Sequence, residues 1–293
     1  MINERIKIND TAYMDTYLLH NSKEYNVGKK RPLVIVCPGG GYAFTSDREA
    51  EPIALKFNSI GMHAVVLWYT VYDQVKNVPK NALVEAAACV KYVREHSEEW
   101  LVDHDQIIIC GFSAGGHLAL SLAVKWNQSW LCEALHTTSE QLKVNLCILG
   151  YPATMVEKVF DEDDFGFASS LIKEPNTANE RFFGVKRPTE KELDEYNLLN
   201  FVSEDTPPMF VWHTYEDVLV DVNNSLMLGM KLREHHVPFE LHIFEKGEHG
   251  LALCDRTTAR KASHHNDHVI HWFDLCEEWM QAYIDKDGGW KWM

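Results

Sequence analysis

The stretch that decides the fold is Ile107-Ile108-Ile109-Cys110-Gly111-Phe112-Ser113-Ala114-Gly115-Gly116-His117. An apolar run enters a G-x-S-x-G motif and continues into residues rich in alanine and leucine, which favour a helix. This order predicts a strand, a sharp turn at Ser113 and then a helix. Glycines flank the serine because side chains at those two positions would collide in so tight a turn. The turn projects the Ser113 hydroxyl from the top of a sheet, so Ser113 is the candidate nucleophile.

Short apolar runs and longer amphipathic runs alternate on both sides of this stretch. Such alternation is typical of strands joined by helical crossovers in a mostly parallel sheet. Strands are predicted at residues 33–37, 63–68, 106–110, 145–149, 209–213 and 239–244. Helices are predicted at residues 49–59, 81–95, 114–125, 222–234 and 267–284. We therefore expect a doubly wound α/β fold with helices on both faces of the sheet.

The interval 151–208 breaks this alternation. It contains an acidic cluster at 161–164 and several aromatic residues, namely Phe160, Phe165, Phe167, Phe182 and Phe183. A long insertion without strand signals is often a cap over a site at the sheet edge, although an ordinary surface excursion fits the pattern equally well. The length of 293 residues suits a single α/β unit. We expect one domain over residues 1–293, with a small cap-like insertion at about 151–208.

The composition is that of a globular chain with a strongly acidic balance. The chain is 46% hydrophobic and 24% charged, and its formal net charge is −15. Because this charge repels polyanions, we expect no nucleic-acid partner and no binding to acidic membrane surfaces. No apolar leader is visible at the N-terminus, and no stretch is long and apolar enough to span a bilayer. These features predict a cytoplasmic protein.

The cysteines point to the same compartment. There are seven of them, scattered along the chain, and several lie inside apolar runs: Cys37, Cys110 and Cys147. Buried free thiols of this kind fit a reducing environment. No C-x-x-C pair is present to predict zinc or redox chemistry.

A second feature lies upstream, where the predicted strand 33–37 leads into the glycine run of Pro38-Gly39-Gly40-Gly41-Tyr42. Glycines after a strand let the backbone turn its N–H groups inward, as an oxyanion hole requires. The N–H of Ala114, directly after Ser113, would be the other donor. A glycine run can also be only a flexible loop. Together with a downstream serine turn, the oxyanion interpretation is favoured, with Gly40 and Gly41 as donors.

A serine hydroxyl is a poor nucleophile until a histidine takes its proton, and a carboxylate must orient that histidine. His249 is the best base, because it lies in a glycine-flanked loop directly after the last predicted strand. Asp217 is the favoured acid, because it follows the strand 209–213 and precedes the next helix. Glu216 and Asp221 are its near competitors, although Asp221 could equally cap that helix.

The other histidines have structural explanations. His117 lies one turn into the helix after Ser113 and is expected to be a buried, hydrogen-bonded side chain. Others lie inside or at the ends of predicted elements, namely His213, His235, His236 and His242. A group near the C-terminus has helical spacings that could present imidazoles to a metal, but no accompanying carboxylate or thiolate is evident. We expect solvated surface positions for this group, which comprises His264, His265, His268 and His271.

The sequence resembles α/β-hydrolase esterases related to the hormone-sensitive-lipase family, especially bacterial acetylesterases and acetylxylan-esterase-like enzymes. The matching segments are C-P-G-G-G-Y at 37–42, S-D-R-E-A-E-P at 46–52, G-F-S-A-G-G-H at 111–117, and the stretches 207–217 and 240–250. They run from about Leu33 to Leu253 in the order expected of that fold. Pro38 stands where lipase-type members usually have histidine, which favours the acetylesterase-like branch.

The resemblance implies an α/β-hydrolase fold and the hydrolysis of short-chain esters, often acetyl groups on sugars or xylo-oligosaccharides, without a metal or an organic cofactor. It carries over Ser113, Asp217 and His249 as the catalytic triad. The implied partner is a small ester or an acetylated oligosaccharide. A serine peptidase or amidase of the same fold, including a formamidase, is an alternative. A binding protein that has lost catalysis is another. Asp47 and Arg48 either contact the substrate or cap the next helix.

Overall fold

The computed structural model describes residues 1–24, 28–71, 75–155 and 178–284. Within these residues eight strands form one sheet. In chain order the strands are β1 (Arg5–Lys7), β2 (Tyr13–Tyr17), β3 (Arg31–Cys37), β4 (His63–Trp68), β5 (Val102–Phe112), β6 (Leu146–Gly150), β7 (Met209–Thr214) and β8 (Phe239–Phe244).

The α-helices of the described residues surround this sheet. They are α1 (Glu51–Ser59), α2 (Val78–Glu95), α3 (Ser97–Trp100), α4 (Ala114–Lys125), α5 (Ser129–Ala134), α6 (Ala178–Phe183), α7 (Glu190–Tyr196), α8 (Asn223–Glu234) and α9 (Trp272–Ile284). None of the helices in this part of the chain is long and apolar enough to cross a membrane.

The strand order across the sheet is β1-β2-β4-β3-β5-β6-β7-β8. From β4 to β8 every neighbouring pair is parallel, whereas β2 pairs antiparallel with β4 and with β1. All six predicted strands are present, and the expectation of a mostly parallel sheet is confirmed. The N-terminal hairpin β1–β2 was not predicted, because β1 has only three residues, too few for an alternating pattern to indicate a strand.

The predicted helices are also present, with shifts at their starts. Helix α2 begins three residues earlier than expected, because the side chain of Asn77 caps it by accepting from Lys80 N–H and Pro79 suits a first turn. Helix α9 begins at Trp272 instead of residue 267, since a separate short turn, Val269–His271, precedes it.

Two apolar layers enclose the sheet, as the doubly wound pattern predicts. Alternate residues of β3 face opposite sides. Leu33 and Ile35 belong to the layer that includes apolar residues of α2, α4 and α8, while Val34 and Val36 belong to the layer that includes α1 and α9. With helices on both faces, the remaining place for a site is the edge where the parallel strands end.

Stacked aromatic rings pack beneath the sheet edge where the parallel strands end. Trp212 of β7 stacks on Trp272 of α9 with ring centroids 5.1 Å apart and an interplanar angle of 18°. Tyr151, directly after β6, meets the Trp212 ring edge-on at 4.9 Å. All three side chains are almost fully buried. They form a rigid support beneath the loops that follow β6 and β8.

The interval 151–208, predicted as a cap, is described only in part. The acidic cluster 161–164 and three of the five phenylalanines named above, Phe160, Phe165 and Phe167, lie outside the described residues. In the described part, Phe182 of α6 packs edge-on against Tyr42 and His117, with centroid distances of 5.9 and 5.7 Å. Helix α6 of this interval thus contacts the glycine run and the helix after Ser113.

Candidate active site

Ser113 occupies the turn between β5 and α4, as the motif predicts. Its φ of 54° and ψ of −119° are strained angles for a residue with a side chain. Its N–H donates to the Gly150 carbonyl at 3.1 Å, and its carbonyl accepts from His117 N–H at 3.0 Å. A Cβ at Gly111 would lie 2.1 Å from the Gly115 carbonyl oxygen. The flanking glycines are therefore required by packing as well as by the motif.

The structure brings the three predicted catalytic residues together. His249 Nε2 lies 2.8 Å from Ser113 Oγ, and His249 Nδ1 lies 2.6 Å from Asp217 Oδ2. The carboxylate holds the proton on Nδ1, so Nε2 is left to accept the proton of the serine hydroxyl. The arrangement has the geometry that general-base activation of a serine requires.

Asp217 is held by four donors. Its Oδ1 accepts the backbone N–H groups of Leu219 and Val220, both at 2.9 Å. Its Oδ2 accepts from His249 and also from His213 Nε2, at 3.2 Å. Burial raises the pKa of this carboxyl, but the hydrogen bonds from the two histidines and from the backbone outweigh burial and hold the pKa well below its usual 3.8. The group therefore stays ionised at neutral pH.

His213 has a place in the site that the sequence does not reveal. The expectation of an ordinary strand-end histidine overlooks its contact with Asp217. Its side chain is completely buried, its Nε2 faces both Asp217 and the Val220 carbonyl, and its Nδ1 lies 2.7 Å from Ser225 Oγ. Nε2 therefore carries a proton and donates to the carboxylate. The spacing His213-x-x-x-Asp217 is compatible with this contact only because the loop folds back after β7.

The two competing acids lie elsewhere. Glu216 is an exposed residue whose carboxylate accepts from Lys246 Nζ at 2.7 Å. Asp221 is exposed as well, and its carboxylate accepts the N–H of Asn223 at the start of α8. Of the three candidates, only Asp217 contacts His249.

The glycine run turns sharply in front of Ser113. Gly40 and Gly41 have φ values of 126° and 63°, which residues with side chains rarely adopt. In the described part of the chain, the N–H groups of Gly40, Gly41 and Ala114 have no hydrogen-bond acceptor. The N–H of Gly39, in contrast, donates to Glu49 Oε2 at 2.8 Å. The three predicted oxyanion donors are thus available for a ligand, and Gly39 is not.

His117 is a buried structural residue, as expected. Its Nδ1 is hydrogen-bonded with the Tyr42 hydroxyl at 2.8 Å, and burial lowers the pKa of the imidazole to about 3. The ring is therefore neutral at physiological pH. It helps to pack the glycine run against α4.

Other side chains singled out in the sequence have structural partners. His264 is buried, which makes the expectation of a solvated surface position wrong for this residue: its Nδ1 accepts from Arg260 N–H at 3.3 Å. His265, His268 and His271 are exposed as expected.

Helix α1, which follows Asp47 and Arg48, has Ala50 at its N-cap and no side-chain cap, so neither Asp47 nor Arg48 caps it. Arg48 Nε instead donates to the Thr258 carbonyl at 2.5 Å. Within the described ranges, the His, Cys and acidic side chains near enough to share a metal ion are the half-buried Asp103 and the exposed His104 and Asp105. The C-terminal histidines do not belong to this group.

A mostly parallel eight-stranded sheet, with a serine at a strand-to-helix turn and an acid and a histidine on two later loops in that order, defines the α/β-hydrolase fold. The sequence profile of the BD-FAE family matches residues 14–232, so the chain belongs to this family.

Other proteins are similar to this chain in sequence. Endo-1,4-beta-xylanase B of Butyrivibrio fibrisolvens is 32% identical, and the match covers 79% of this chain and 34% of the xylanase. The chain spans between about a third and two thirds of the length of the curated relatives it matches.

Solved structures match over nearly the whole chain. The carboxylesterase Cest-2923 of Lactobacillus plantarum is 28% identical with a TM-score of 0.81, covering 97% of this chain and 98% of that one. The acetyl ester-xyloside bifunctional hydrolase of Caldicellulosiruptor lactoaceticus is 30% identical with a TM-score of 0.73, covering 96% of both chains.

Proposed function

We propose that this chain is a serine carboxylic-ester hydrolase that removes short acyl groups, acetyl above all, from sugars or xylo-oligosaccharides. The observation that carries the proposal is the hydrogen-bonded chain from Ser113 through His249 to Asp217. The relatives named as a carboxylesterase and an acetyl ester-xyloside hydrolase support the ester bond as the target. The relative named as a xylanase supports a xylan-derived alcohol.

The mechanism follows from the positions of the three side chains. Ser113 Oγ attacks the ester carbonyl carbon while its proton passes to His249 Nε2, and the carbonyl electrons move to the oxygen. When the tetrahedral intermediate collapses, the alcohol leaves with the proton from His249. Water then attacks the acyl-enzyme by the same steps, which releases the acid and restores the Ser113 hydroxyl. Asp217 keeps the imidazole oriented and stabilises its charged form.

The negative oxygen of the intermediate needs donors that are already in place. The backbone N–H groups of Gly40 or Gly41 and of Ala114 are free of protein acceptors in the described residues, which supports this role. Donors of this kind lower the barrier because they need no reorganisation during the reaction.

The proposal also covers the domain organisation, the cellular location and the partner of the enzyme. One sheet contains strands from β1 to β8, which supports a single domain over residues 1–293 with the 151–208 interval as its cap. All seven cysteines are unpaired, which supports a reducing, cytoplasmic location. The proposed partner is a small ester or an acetylated oligosaccharide.

The test compares wild type with Ser113→Ala on acetylated xylo-oligosaccharides and on 4-nitrophenyl acetate, butyrate and octanoate. Ser121→Ala, a serine further along α4, is the matched control. We expect acetate release by wild type and by Ser121→Ala, and a loss of at least about 10³-fold in Ser113→Ala. A Ser113→Ala protein with wild-type activity would contradict the assignment of the nucleophile.

A panel of aminoacyl and formyl amides separates the proposal from its amidase alternative. Ester turnover with little amide turnover supports the esterase, and the reverse result would replace it with an amidase. Stoichiometric labelling of Ser113 by an organophosphonate excludes a binding protein without catalytic chemistry, because labelling needs an activated hydroxyl.

A further inference from the structure

A buried carboxylate beside Ser113 is not used in the proposed mechanism. Glu49 lies in the short turn Asp47–Glu49 and is only 3% exposed. Its Oε2 accepts Gly39 N–H at 2.8 Å, and its Oε1 accepts the Tyr151 hydroxyl at 2.6 Å. A buried carboxylate is costly without such donors, so both contacts fix its position.

Tyr151 extends this contact to the loop of the proposed base. Its hydroxyl oxygen accepts the N–H of Ala252, three residues after His249, at 2.9 Å. Its ring centroid lies 5.0 Å from that of His249. Burial and the neighbouring Glu49 raise the pKa of the Tyr151 hydroxyl well above its usual value. The hydroxyl therefore stays protonated and donates to Glu49 while it accepts from Ala252.

The segments joined in this way are strained. Tyr151 and Ala252 have φ values of 37° and 54°, and Ser113 has 54°. Residues with side chains rarely adopt positive φ because it is strained, so the surrounding structure must hold them there. Ser113 and Tyr151 are linked through Gly150, whose carbonyl accepts Ser113 N–H.

The Glu49 carboxylate and the Ser113 side chain both lie next to Gly39. A Cβ added to Gly39 would be 2.6 Å from Glu49 Oε2 and 3.0 Å from Ser113 Cβ. Gly39 is thus clamped between the two side chains, one residue before the proposed oxyanion donors Gly40 and Gly41. A small shift of Glu49 must move this turn.

We propose that Glu49 and Tyr151 are positioning residues. The continuous chain from Gly39 N–H through Glu49 and the Tyr151 hydroxyl to Ala252 N–H fixes the glycine run and the His249 loop relative to each other. The oxyanion donors and the base then keep one geometry around Ser113. This inference rests on the proposed ester hydrolysis and assigns to it two residues that do not touch the reacting atoms.

The experiment uses full-length Tyr151→Phe, which deletes only the hydroxyl, and Glu49→Gln, which keeps the size of the side chain. Tyr17→Phe is the matched control, because the Tyr17 hydroxyl also donates to a glutamate, Glu51, at 3.1 Å, but joins β2 to α1. Each protein is assayed for kcat and KM on 4-nitrophenyl acetate and for its melting temperature.

A trifluoromethyl ketone serves as a second readout that overall stability alone would not move. Ser113 Oγ adds to its carbonyl carbon, the proton passes to His249, and the oxygen becomes the anion that the oxyanion donors bind. The inhibition constant therefore reports binding of a tetrahedral adduct.

We expect Tyr151→Phe and Glu49→Gln each to lower kcat by about 10- to 100-fold with KM changed less than about threefold, because misplacement of about 1 Å has effects of that size. Weakening of ketone binding should parallel the loss of kcat/KM. Since either change breaks the same chain, the double variant should lose less than the product of the single effects. Tyr17→Phe should stay within about twofold of wild type.

Two results separate the inference from the function on which it rests. If wild type neither hydrolyses the ester nor binds the ketone, the proposed function fails. If wild type is active and Tyr151→Phe and Glu49→Gln match Tyr17→Phe in kcat and ketone binding, the positioning role is wrong while the esterase stands. A variant that melts below the assay temperature is measured at a lower temperature, beside wild type at that temperature.

Discussion

Two buried carboxylates flank Ser113, one on the loop after β7 and one on the turn after β3. Asp217 accepts from two imidazoles and two backbone N–H groups. Glu49 accepts from one backbone N–H and one phenol. In the proposed mechanism the first contacts a ring that gains and loses a proton, whereas the second contacts only groups that keep theirs. We therefore expect the charge of Asp217 to matter for the reaction and the location of Glu49 to matter for the geometry.

Replacing Asp217 by asparagine should have the largest effect. The amide can no longer stabilise the His249 imidazolium and can hold the ring with the wrong nitrogen protonated, so kcat should fall by roughly 10³–10⁴-fold. The measurement is the rate of 4-nitrophenyl acetate hydrolysis at saturating substrate. Glu216→Gln and Asp221→Asn change neighbouring exposed acids and should remain within about threefold of wild type. A large loss of kcat in either control would contradict the assignment of Asp217 as the catalytic acid residue of the triad.

The region around Glu49 should respond to shape more than to charge. Gly39→Ala places a methyl group 2.6 Å from Glu49 Oε2 and 2.8 Å from the Phe112 carbonyl oxygen, so the turn must move. We expect kcat to fall about 100-fold. At Gly41 an added Cβ meets nothing within 4 Å, and the φ of 63° is the only obstacle. Gly41→Ala should cost about 1–2 kcal/mol of unfolding free energy and change kcat only a few-fold. Equal activity in the two variants would rule out clamping of Gly39.

A variant of His213 tests whether the second histidine that donates to Asp217 also affects the reaction. His213→Phe removes one donor from Asp217 Oδ2 but keeps a buried ring of similar shape. We expect kcat to fall about tenfold, the size expected for one hydrogen bond to a charged group. The acid limb of the kcat/KM profile should move to higher pH, because the carboxylate then directs more of its charge to His249. His242→Phe, a half-buried histidine of β8, should leave the profile unchanged. If the pH profile of kcat/KM is not shifted in His213→Phe, His213 has only a packing role.

Acid stability should show the smallest effect. The pKa of Asp217 is lower in the folded chain than its ordinary 3.8, so the unfolded chain takes up this proton first as the pH falls. The stabilisation is complete above the ordinary value and is lost as the pH drops towards the folded value. Denaturant unfolding between about pH 6 and about pH 3 should therefore show a steeper loss for wild type than for Asp217→Asn. Parallel curves would mean that Asp217 is not held ionised.

The fold and the three residues at the centre of the site were predictable for a shared physical reason. A serine at a strand-to-helix turn needs glycines at fixed offsets, and Gly111 and Gly115 supply them next to an unbroken apolar strand. The acid and the histidine each follow a strand directly, so their loops end at the same sheet edge as Ser113. Position along the chain therefore translates into position in space.

Glu49, Tyr151 and His213 could not be found in this way. Glu49 has the same sequence context as the exposed acids around it, and only its contacts with Gly39 and Tyr151 distinguish it. Tyr151 joins segments that are about a hundred residues apart from it along the chain on either side. His213 reaches Asp217 because the loop after β7 reverses. Contacts that depend on the meeting of distant loops leave no periodic pattern in the sequence.

The Trp212–Trp272 stack gives the protein an internal optical probe. Two nearly parallel indoles 5.1 Å apart couple their electronic transitions, and near-ultraviolet circular dichroism detects aromatic rings held in fixed packing. Because Tyr151 sits edge-on against Trp212, a shift of the loops around Ser113 must disturb this signal. The packing of the aromatic rings beneath these loops can therefore be followed by circular dichroism alone, with neither a substrate nor an attached label.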